Sequence, residues 1–347
     1  MKNILKISFA YLAAIIGAGF ASGSEIIHYF VKFGNISLIG IVLSAAGFGF
    51  FAFLTLYLCK QYEKSSFDGI IQAILPPILQ KYIKAVISFF MLIILGGMIS
   101  AFSMLSQNVF GLSPSIAGII FSCLCGVILL FPDKSIINQT SVIGGFIVIF
   151  ICIICVYLIN NRCVNVFSQK LHMSTSAVSY TSYNFISVCP FLCNASLMLK
   201  NKKQCYLTGI ASAVMSLFCL GLLWCIISVY YGKIHLGELP MLTIVSRQGN
   251  YLKLIYSLVI GAAIFTSAIA NGFGIVQRMN SLKLSLSLKV IIVMTLGYFI
   301  SSIGFSNIVS KLYNIAGFAS IILPIILFIN FSKKVDIKRK REINRDI

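Results

Sequence analysis

Three segments of this sequence place glycines or polar side chains inside apolar stretches, where they could do chemistry. The first, residues 16–25, contains Gly17, Gly19 and Gly23 and ends in Glu25. Each glycine weakens a helix by about 1 kcal/mol relative to alanine, so we expect this helix to unwind. The freed carbonyls and amides must then bind an ion, a ligand or a neighbour. The alternative is close packing through Gly19 and Gly23, which have Gly-x-x-x-Gly spacing.

The second segment, residues 180–190, reads Tyr-Thr-Ser-Tyr-Asn-Phe-Ile-Ser-Val-Cys-Pro. Pro190 has no amide hydrogen, so a helix here loses one backbone hydrogen bond near Ile186. Asn184 and Ser187 add polar side chains one turn earlier. The segment predicts a second broken helix or, alternatively, a proline kink with satisfied polar groups.

The third segment contains adjacent hydroxyls at Thr266 and Ser267, with Asn271 one turn further on. Hydroxyls opposite the carbonyls of a broken helix would form an all-oxygen site without a full negative charge. Such a site suits sodium better than a divalent cation, which favours carboxylates. The alternative is that both hydroxyls bond back to their own helix, as serine and threonine often do.

Glu25 is the one acidic residue inside an apolar run; the other seven lie in connecting segments or in the tail. A charged side chain at the bilayer centre costs about 2.5–3.5 kcal/mol on insertion scales, so Glu25 should face the protein interior and have a partner. It could bind a substrate ammonium, release a coupling proton or form an outer gate. We favour the gate or the proton relay, the latter with His28 on the same helical face. A His28 at the outer head groups is the alternative.

The elements that position these segments follow from composition. The chain has 347 residues, of which 59% are hydrophobic and 10% are charged, whereas soluble domains carry about 25% charged residues. A run of about 20 apolar residues crosses a bilayer as a helix. Ten such runs occur, at residues 7–31, 36–59, 85–108, 112–131, 141–160, 176–199, 206–231, 251–277, 290–309 and 312–331. We therefore predict an all-α polytopic membrane protein with about ten transmembrane helices.

Lysine and arginine are distributed unequally between the two predicted sides of the membrane. Twenty lie on the side of the termini and seven on the other, which predicts that both termini are cytoplasmic. The net charge of +19 is thus explained by orientation and by contact with the lipid bilayer, and we expect no nucleic-acid partner. The sequence leaves the oligomeric state open.

Eleven cysteines are spread through the chain. Cys152 and Cys155 have the spacing of a metal or redox pair, but no histidine or carboxylate lies near enough in the sequence to complete a tetrahedral site. We interpret the cysteines as small packing residues and predict no cofactor beyond a coupling ion. So many free thiols agree with a bacterial inner membrane.

Ten spans divide into five plus five, and because five is odd, a second half built like the first enters the membrane from the opposite face. We predict such an inverted repeat, with one half at residues 1–165, the other at 166–331 and a basic cytoplasmic tail at 332–347. The broken helices 1 and 6 occupy corresponding positions in the two halves. Two longer loops are expected to hold short helices, at residues 60–84 inside and 232–250 outside.

The run from Gly17 to Gly23 followed by Glu25, the Tyr183-Asn184 pair and the outer Leu239-Pro240-Met241 segment resemble the YkvI-like family of bacterial membrane proteins, known as putative amino acid permeases. The resemblance covers the chain up to about residue 331. It implies membership of the amino acid-polyamine-organocation superfamily and a LeuT-type fold of two inverted five-helix repeats.

The resemblance also implies sites. The superfamily's second sodium site maps onto the carbonyls of Ala13, Ile16 and Ala263 and the hydroxyls of Thr266 and Ser267. A substrate carboxylate is expected at the amides of the span 1 break, where a half-helix N-terminus is partly positive; the substrate-binding residues are then Gly17, Ala18, Gly19, Phe20, Tyr180, Tyr183, Asn184 and Ser187. Some relatives have a further sodium site that uses an asparagine in the first span. This chain has Ala14 at the matching place, so the asparagine ligand of that further site is missing.

These features predict a secondary transporter that moves a small zwitterionic solute, an amino acid by resemblance, by alternating access coupled to sodium or to protons. A solute sensor of the germinant-receptor kind with the same fold is the alternative. No intramembrane protease or hydrolase motif is present in the sequence, so we do not expect an enzyme. Broken helices around a central site favour occlusion over an open channel.

Overall fold

The computed structural model of the chain describes residues 2–159, 174–279, 282–313, 315 and 320–343. All regular structure in these residues is helical. The predicted boundary between the two halves, at residues 165 and 166, lies outside the described residues.

Fifteen helices follow one another along the described chain. Their bounds are α1 Lys2–Ile15, α2 Ala18–Ser22, α3 Ser24–Tyr29, α4 Ser37–Tyr62, α5 Phe67–Ile74, α6 Pro77–Phe110, α7 Pro114–Leu129, α8 Asp133–Ile159, α9 Ser174–Ala195, α10 Lys202–Tyr230, α11 Pro240–Ser246, α12 Asn250–Arg278, α13 Leu286–Ser301, α14 Phe305–Leu312 and α15 Ile322–Ile343.

Five of the described helices, namely α4, α6, α8, α10 and α12, are each long and apolar enough to cross a membrane. The helices α13 and α14 pass the same test together, but they meet at an angle of 93°. The other predicted spans are shorter or more polar. The first is divided into α1–α3, and α7 has 16 residues. α9 has 22 residues but is too polar to pass the test, and α15 is apolar only over Ile322–Ser332. The chain is thus a multi-pass helical membrane protein.

The predicted span 9, residues 290–309, is not one straight helix. The chain turns at residues 302–304, where Gly304 has φ +89°, a conformation that L side chains rarely adopt. The short helix α14 therefore leaves the direction of α13.

Helix 6 is not broken, contrary to the prediction. α9 runs without interruption from Ser174 to Ala195 and includes Pro190. The proline lies five positions before the end of the helix, where the one lost hydrogen bond is tolerated. The polar residues before it support the helix, because Asn184 Nδ2 donates to the Tyr180 carbonyl at 3.0 Å and the Ser187 hydroxyl donates to the Asn184 carbonyl at 2.8 Å.

Helices in corresponding positions of the two predicted halves pack against each other: α4 contacts α10, α6 contacts α12, and α7 contacts α13. The first of these pairs is in backbone contact. A Cβ built on Gly49 would lie 2.6 Å from the Gly209 carbonyl oxygen, and one built on Gly209 would lie 2.7 Å from the Gly49 carbonyl oxygen. Glycine at both positions is what allows this approach.

The two longer loops contain short helices, as the sequence predicts. α5 buries Phe67, Ile70 and Ile71 and lies against α4, α6 and α9. α11 lies against α2, α10 and α12, so it covers the end of the bundle near the break in the first span.

Candidate functional site

The first span is interrupted twice within eight residues. α1 ends at Ile15, Gly17 is extended with φ −89° and ψ −166°, and Gly23 separates α2 from α3 with φ +84°. All five residues of α2 are buried. The unwound backbone predicted for residues 16–25 is therefore present at the centre of the protein, and simple close packing of an intact helix does not describe it.

Helix α12 crosses the end of α1 and brings its two adjacent hydroxyls to this backbone. The Thr266 hydroxyl lies 3.0 Å from the Ala13 carbonyl oxygen and 3.1 Å from the Ala263 carbonyl oxygen. The Ser267 hydroxyl donates to the Ala14 carbonyl at 2.8 Å. These contacts join two segments more than 250 residues apart, so the hydroxyls are not simply bonded back to their own helix.

The donor set of this cluster fits a monovalent cation. Thr266, Ser267, Ala13 and Ala263 supply neutral oxygens, all in residues that are buried, and a hydroxyl that donates to a carbonyl can instead turn its lone pairs toward a cation. In the described part of the chain, neither the Thr266 nor the Ser267 hydroxyl forms a hydrogen bond with the Ile16 carbonyl, although Ile16 directly follows the end of α1. The role of all five residues as sodium ligands stays a prediction.

Metal binding by acidic, histidine or cysteine side chains receives no support from the geometry. In the part of the chain that the structure describes, no group of three or more such residues could hold a metal ion. Cys152 and Cys155 lie in the last third of α8.

The Glu25 side chain lies against the break in the first span. The left-handed Gly23 separates α2 from α3, and the Glu25 side chain packs directly on Gly19, so a Cβ built on Gly19 would overlap the Glu25 carboxylate. Glu25 is 3% exposed. Its Oε2 has no hydrogen-bond partner among the described residues. The predicted substrate amides at residues 17–20 thus lie beside a buried carboxylate.

Four tyrosines surround Glu25, and we call them the tyrosine cluster: Tyr29, Tyr180, Tyr183 and Tyr313. Ring centroids are 5.1 Å apart for Tyr29 and Tyr180, 5.8 Å for Tyr180 and Tyr183, and 5.1 Å for Tyr183 and Tyr313. Each of the four interacts electrostatically with Glu25. Tyr183 lies within hydrogen-bonding reach of Glu25, yet neither its hydroxyl nor Glu25 Oε2 forms a hydrogen bond of normal geometry.

Unsatisfied polar atoms are concentrated here. Twelve buried side-chain nitrogen and oxygen atoms of the described residues have no hydrogen-bond partner. Six of these twelve are Glu25 Oε2 and the hydroxyls of Tyr29, Ser179, Tyr180, Tyr183 and Tyr313. Each unsatisfied buried group costs about 1–3 kcal/mol, so the cluster is destabilising unless something with complementary polarity occupies it.

Sequence reasoning found only part of this site. Tyr180 and Tyr183 were among the candidates, whereas Asn184 and Ser187, predicted alongside them, bond to their own helix. Tyr29 could have been found, because it lies one helical turn after Glu25. Tyr313 follows α14, and no motif near it in the sequence indicates that it packs in the tyrosine cluster.

A cavity of about 260 Å³ opens beside the site on the side of the α11 loop. Ser24, the neighbour of Glu25, borders it together with His28, Lys32 and Glu238. Glu238 also borders a larger, serine-rich cavity of about 410 Å³. The loop before α11 therefore borders polar cavities, one of which reaches the start of α3.

The opposite end of α12 carries a buried charge. The Arg278 side chain is 6% exposed and its Nε lies 3.6 Å from Asp68 Oδ1, while Lys84 lies 3.6 Å from Asp68 Oδ2. The Arg278 guanidinium also lies over the Phe67 ring, 4.8 Å from its centroid. Asp68 and Phe67 belong to α5, so this short helix fastens the end of α12.

Replacing Asp68 with asparagine is expected to destabilise the protein, because Arg278 would stay buried without its counter-charge. Asp68 is a third exposed, so we expect about 1–3 kcal/mol rather than the larger cost of a fully buried pair. Thermal unfolding in detergent measures the change. Glu63→Gln, in an exposed turn one residue after α4, is the control and should leave the melting temperature unchanged; equal shifts would contradict the assignment.

The comparisons with known proteins agree with this architecture. No protein-family model matches the chain. Two proteins of Bacillus subtilis (strain 168) are similar along nearly the whole chain. The uncharacterized membrane protein YkvI is 24% identical over 323 residues, covering 91% of this chain and 92% of its own length. The uncharacterized protein YyaD is 24% identical over 342 residues, covering 94% and 96%.

Solved transporters share the fold at low sequence identity. A Na⁺-coupled sialic acid symporter in a substrate-bound outward-open state superposes with a TM-score of 0.66 at 12% identity, covering 90% of this chain and 76% of the symporter. Mhp1, a nucleobase-cation-symport-1 family transporter, gives 0.64 at 12%, covering 93% and 76%. An Eremococcus coleocola manganese transporter gives 0.63 at 14%, covering 94% and 76%.

The resemblance drawn from the glycine motif is therefore confirmed by whole-chain similarity and by the fold. The neighbours in structure are transporters rather than enzymes. The chain is a multi-pass membrane protein that is similar to YkvI and YyaD along nearly its whole length and has the LeuT-type fold.

Proposed function

We propose that the protein is a secondary transporter that couples sodium to the movement of a small zwitterionic solute, an amino acid, by alternating access. The observation that carries this proposal is the contact of Thr266 and Ser267 on α12 with the carbonyls at the end of α1. A cation held there by oxygens from both helices would fix the broken span against α12. The likeness in fold to a Na⁺-coupled symporter supports the choice of ion.

Coupling follows from the position of this contact. The backbone that supplies Ala13 and Ala14 continues directly into the break at Gly17, and α2 beyond it is tied to α12 by the Tyr256 hydroxyl, which donates to the Ala21 carbonyl at 2.7 Å. Sodium at α1 and α12 would stabilise the conformation of the break that binds solute. Two ligands that favour the same conformation raise each other's affinity.

The membrane orientation is part of the proposal. The excess of lysine and arginine on one side places both termini in the cytoplasm of a bacterial cell. Asp68 and Arg278 then lie near the cytoplasmic face, and α11 with its cavities lies near the outer face. Solute would enter through the cavity beside Ser24 while α5 keeps the inner end of α12 closed.

The test measures solute uptake by liposomes into which the purified protein has been reconstituted. We expect an inward sodium gradient to drive accumulation from a mixed pool of labelled amino acids, and the double substitution of Thr266 and Ser267 by alanine to lower the sodium-dependent rate by at least about tenfold, equivalent to about 1.4 kcal/mol. Ser257→Ala is the matched control, because its hydroxyl is buried on the same helix but bonds only to the Lys253 carbonyl, at 2.7 Å.

The other outcomes favour other functions. Uptake that follows a proton gradient and fails in Glu25→Gln would move coupling to the carboxylate. If no amino acid accumulates under either gradient, yet amino acids raise the melting temperature, the sensor alternative replaces the transporter. If Ser257→Ala is as impaired as the double variant, the loss reflects damage to α12 and the sodium site is contradicted.

A further inference from the structure

The six unsatisfied atoms around Glu25 form a binding site of defined chemistry. All of them belong to residues with 4% exposure or less, and they come from three separate parts of the chain, namely α3, α9 and the residue that follows α14. Tyr183 lies within reach of Glu25 and Tyr29 within reach of Ser179, but no hydrogen bond of normal geometry forms in either pair. Among the described residues a second group of unsatisfied atoms belongs to the Asp68–Arg278 ion pair, whereas most buried hydroxyls donate to a carbonyl. Tyr11 and Tyr256 show the usual arrangement, donating to the Phe48 and Ala21 carbonyls.

The charge of the site decides what can occupy it. Glu25 contributes a carboxylate that only accepts hydrogen bonds when ionised, and its Oε2 has no hydrogen-bond partner among the described residues. Phenolic oxygens accept hydrogen bonds as well, and aromatic rings attract cations through their faces. An anion here would meet the Glu25 charge at short range, so the site favours a positively charged group.

The number and type of acceptors favour an ammonium group. A protonated amine has up to three N–H donors and needs an acceptor for each, together with a compensating charge. Glu25 supplies the charge, and Tyr183, which lies within hydrogen-bonding reach of it, supplies a neighbouring acceptor. Tyr29, Tyr180 and Tyr313 complete the surroundings with further hydroxyls and ring surface.

Gly19 places this site in the path of the solute. The carboxylate packs on Gly19 within the broken span, which is where the resemblance implies a bound substrate. A solute carboxylate at the same amides would lie against the Glu25 charge. The amino group is therefore the part of the solute that the buried site recognises.

We propose that Glu25 and the tyrosine cluster bind the ammonium group of the solute, so that the substrate class is defined by a positively charged amine and a free carboxylate is dispensable. This deepens the proposed function, on which it depends only for placing the cluster in the transport path. Glu25 is then a substrate-binding residue rather than an outer gate.

The experiment uses two matched sets of probes on the purified full-length protein in detergent. L-alanine, ethylamine and propionate share one carbon skeleton and differ in carrying both groups, only the amine or only the carboxylate; L-phenylalanine, 2-phenylethylamine and 3-phenylpropionate repeat the comparison at a larger size. Thermal stabilisation at increasing concentration gives the apparent affinity of each probe without any gradient. We expect the amine of at least one set to bind within about tenfold of its amino acid, and neither carboxylate to bind.

Two substitutions test the residues. Glu25→Gln keeps the size of the side chain and removes the charge, and we expect it to weaken amine binding by at least about 30-fold. Tyr183→Phe should weaken it by about 3- to 10-fold while leaving the free protein at least as stable as the wild type, because it removes an unsatisfied hydroxyl. Tyr11→Phe is the control: it loses a satisfied hydrogen bond, so the free protein becomes less stable while amine affinity is unchanged.

Each other result overturns the proposal. Binding of the carboxylates as tightly as the amines would show that the anionic group is recognised. If sodium chloride alone stabilises the protein in a Glu25-dependent way and no organic probe does, the cluster is an inorganic cation site. If no addition has any effect, water fills the cluster. Liposome uptake remains a separate measurement, so binding without uptake would contradict transport while supporting the ammonium site.

Discussion

Replacing Gly19 with alanine is expected to abolish solute binding while leaving the fold intact. The added Cβ would overlap Cγ, Cδ and Oε1 of Glu25. These atoms belong to a flexible side chain that can swing away, so the helices need not move and the melting temperature should change little. The carboxylate can no longer lie against the break, however. We expect solute-dependent thermal stabilisation and sodium-driven uptake to fall below detection.

The Gly19 prediction has a rescue that tests its cause. Glu25→Asp shortens the side chain by one methylene, so in the double variant with Gly19→Ala the carboxylate has more room and binding should partly return. Gly221→Ala is the control, since a Cβ there meets nothing within 4 Å. Loss of function in Gly19→Ala that persists unchanged in the double variant would show that Glu25 is not the group displaced.

Replacing Gly144 with alanine is expected to disturb the predicted sodium site by displacing α1. A Cβ on Gly144, in α8, would lie 2.5 Å from the Ala13 Cβ and 2.5 Å from the Phe9 carbonyl oxygen. Backbone cannot swing aside, so α1 must shift and carry the Ala13 carbonyl away from Thr266. Overpacking of this kind costs about 1–3 kcal/mol. We expect a lower melting temperature together with a higher sodium concentration for half-maximal uptake.

The neighbouring glycine provides the control for Gly144. A Cβ on Gly145 would be 4.0 Å from the nearest atom, in the Phe9 ring, so Gly145→Ala should preserve both stability and sodium dependence and gain slightly from the better helix propensity of alanine. The two variants differ by one position and by the same methyl group. Equal impairment of both would mean that α8 tolerates no alanine here for reasons unrelated to α1.

Glycine spacing and adjacent hydroxyls made two parts of the site predictable, namely the break in the first span and the hydroxyls of α12. Gly17 and Gly23 do interrupt the first span, and Thr266 and Ser267 do meet the carbonyls of α1. Both signals are local: an unwound helix and a pair of buried hydroxyls each need a partner. The resemblance to relatives supplied the pairing between them, which spacing alone could not give.

The wrong and the missing predictions have physical reasons. Pro190 does not break α9, because a proline near a helix end removes one hydrogen bond and the hydroxyl and amide of Ser187 and Asn184 bond within the helix. Tyr313 was missed because it is brought to Glu25 by packing across the whole chain. Neither composition nor periodicity records that kind of contact.

The continuity of α9 has a mechanical consequence. One end of this helix contacts α3, and its other contacts include α5 and α12; Pro190 lies under α12, where a Cβ on Gly274 would be 3.4 Å from the proline ring. An unbroken helix transmits a displacement of one end to the other. If the tyrosines of α9 tilted to admit or release a solute in the proposed transport cycle, the movement would therefore reach α5. Opening at one membrane face and closing at the other would then be a single motion.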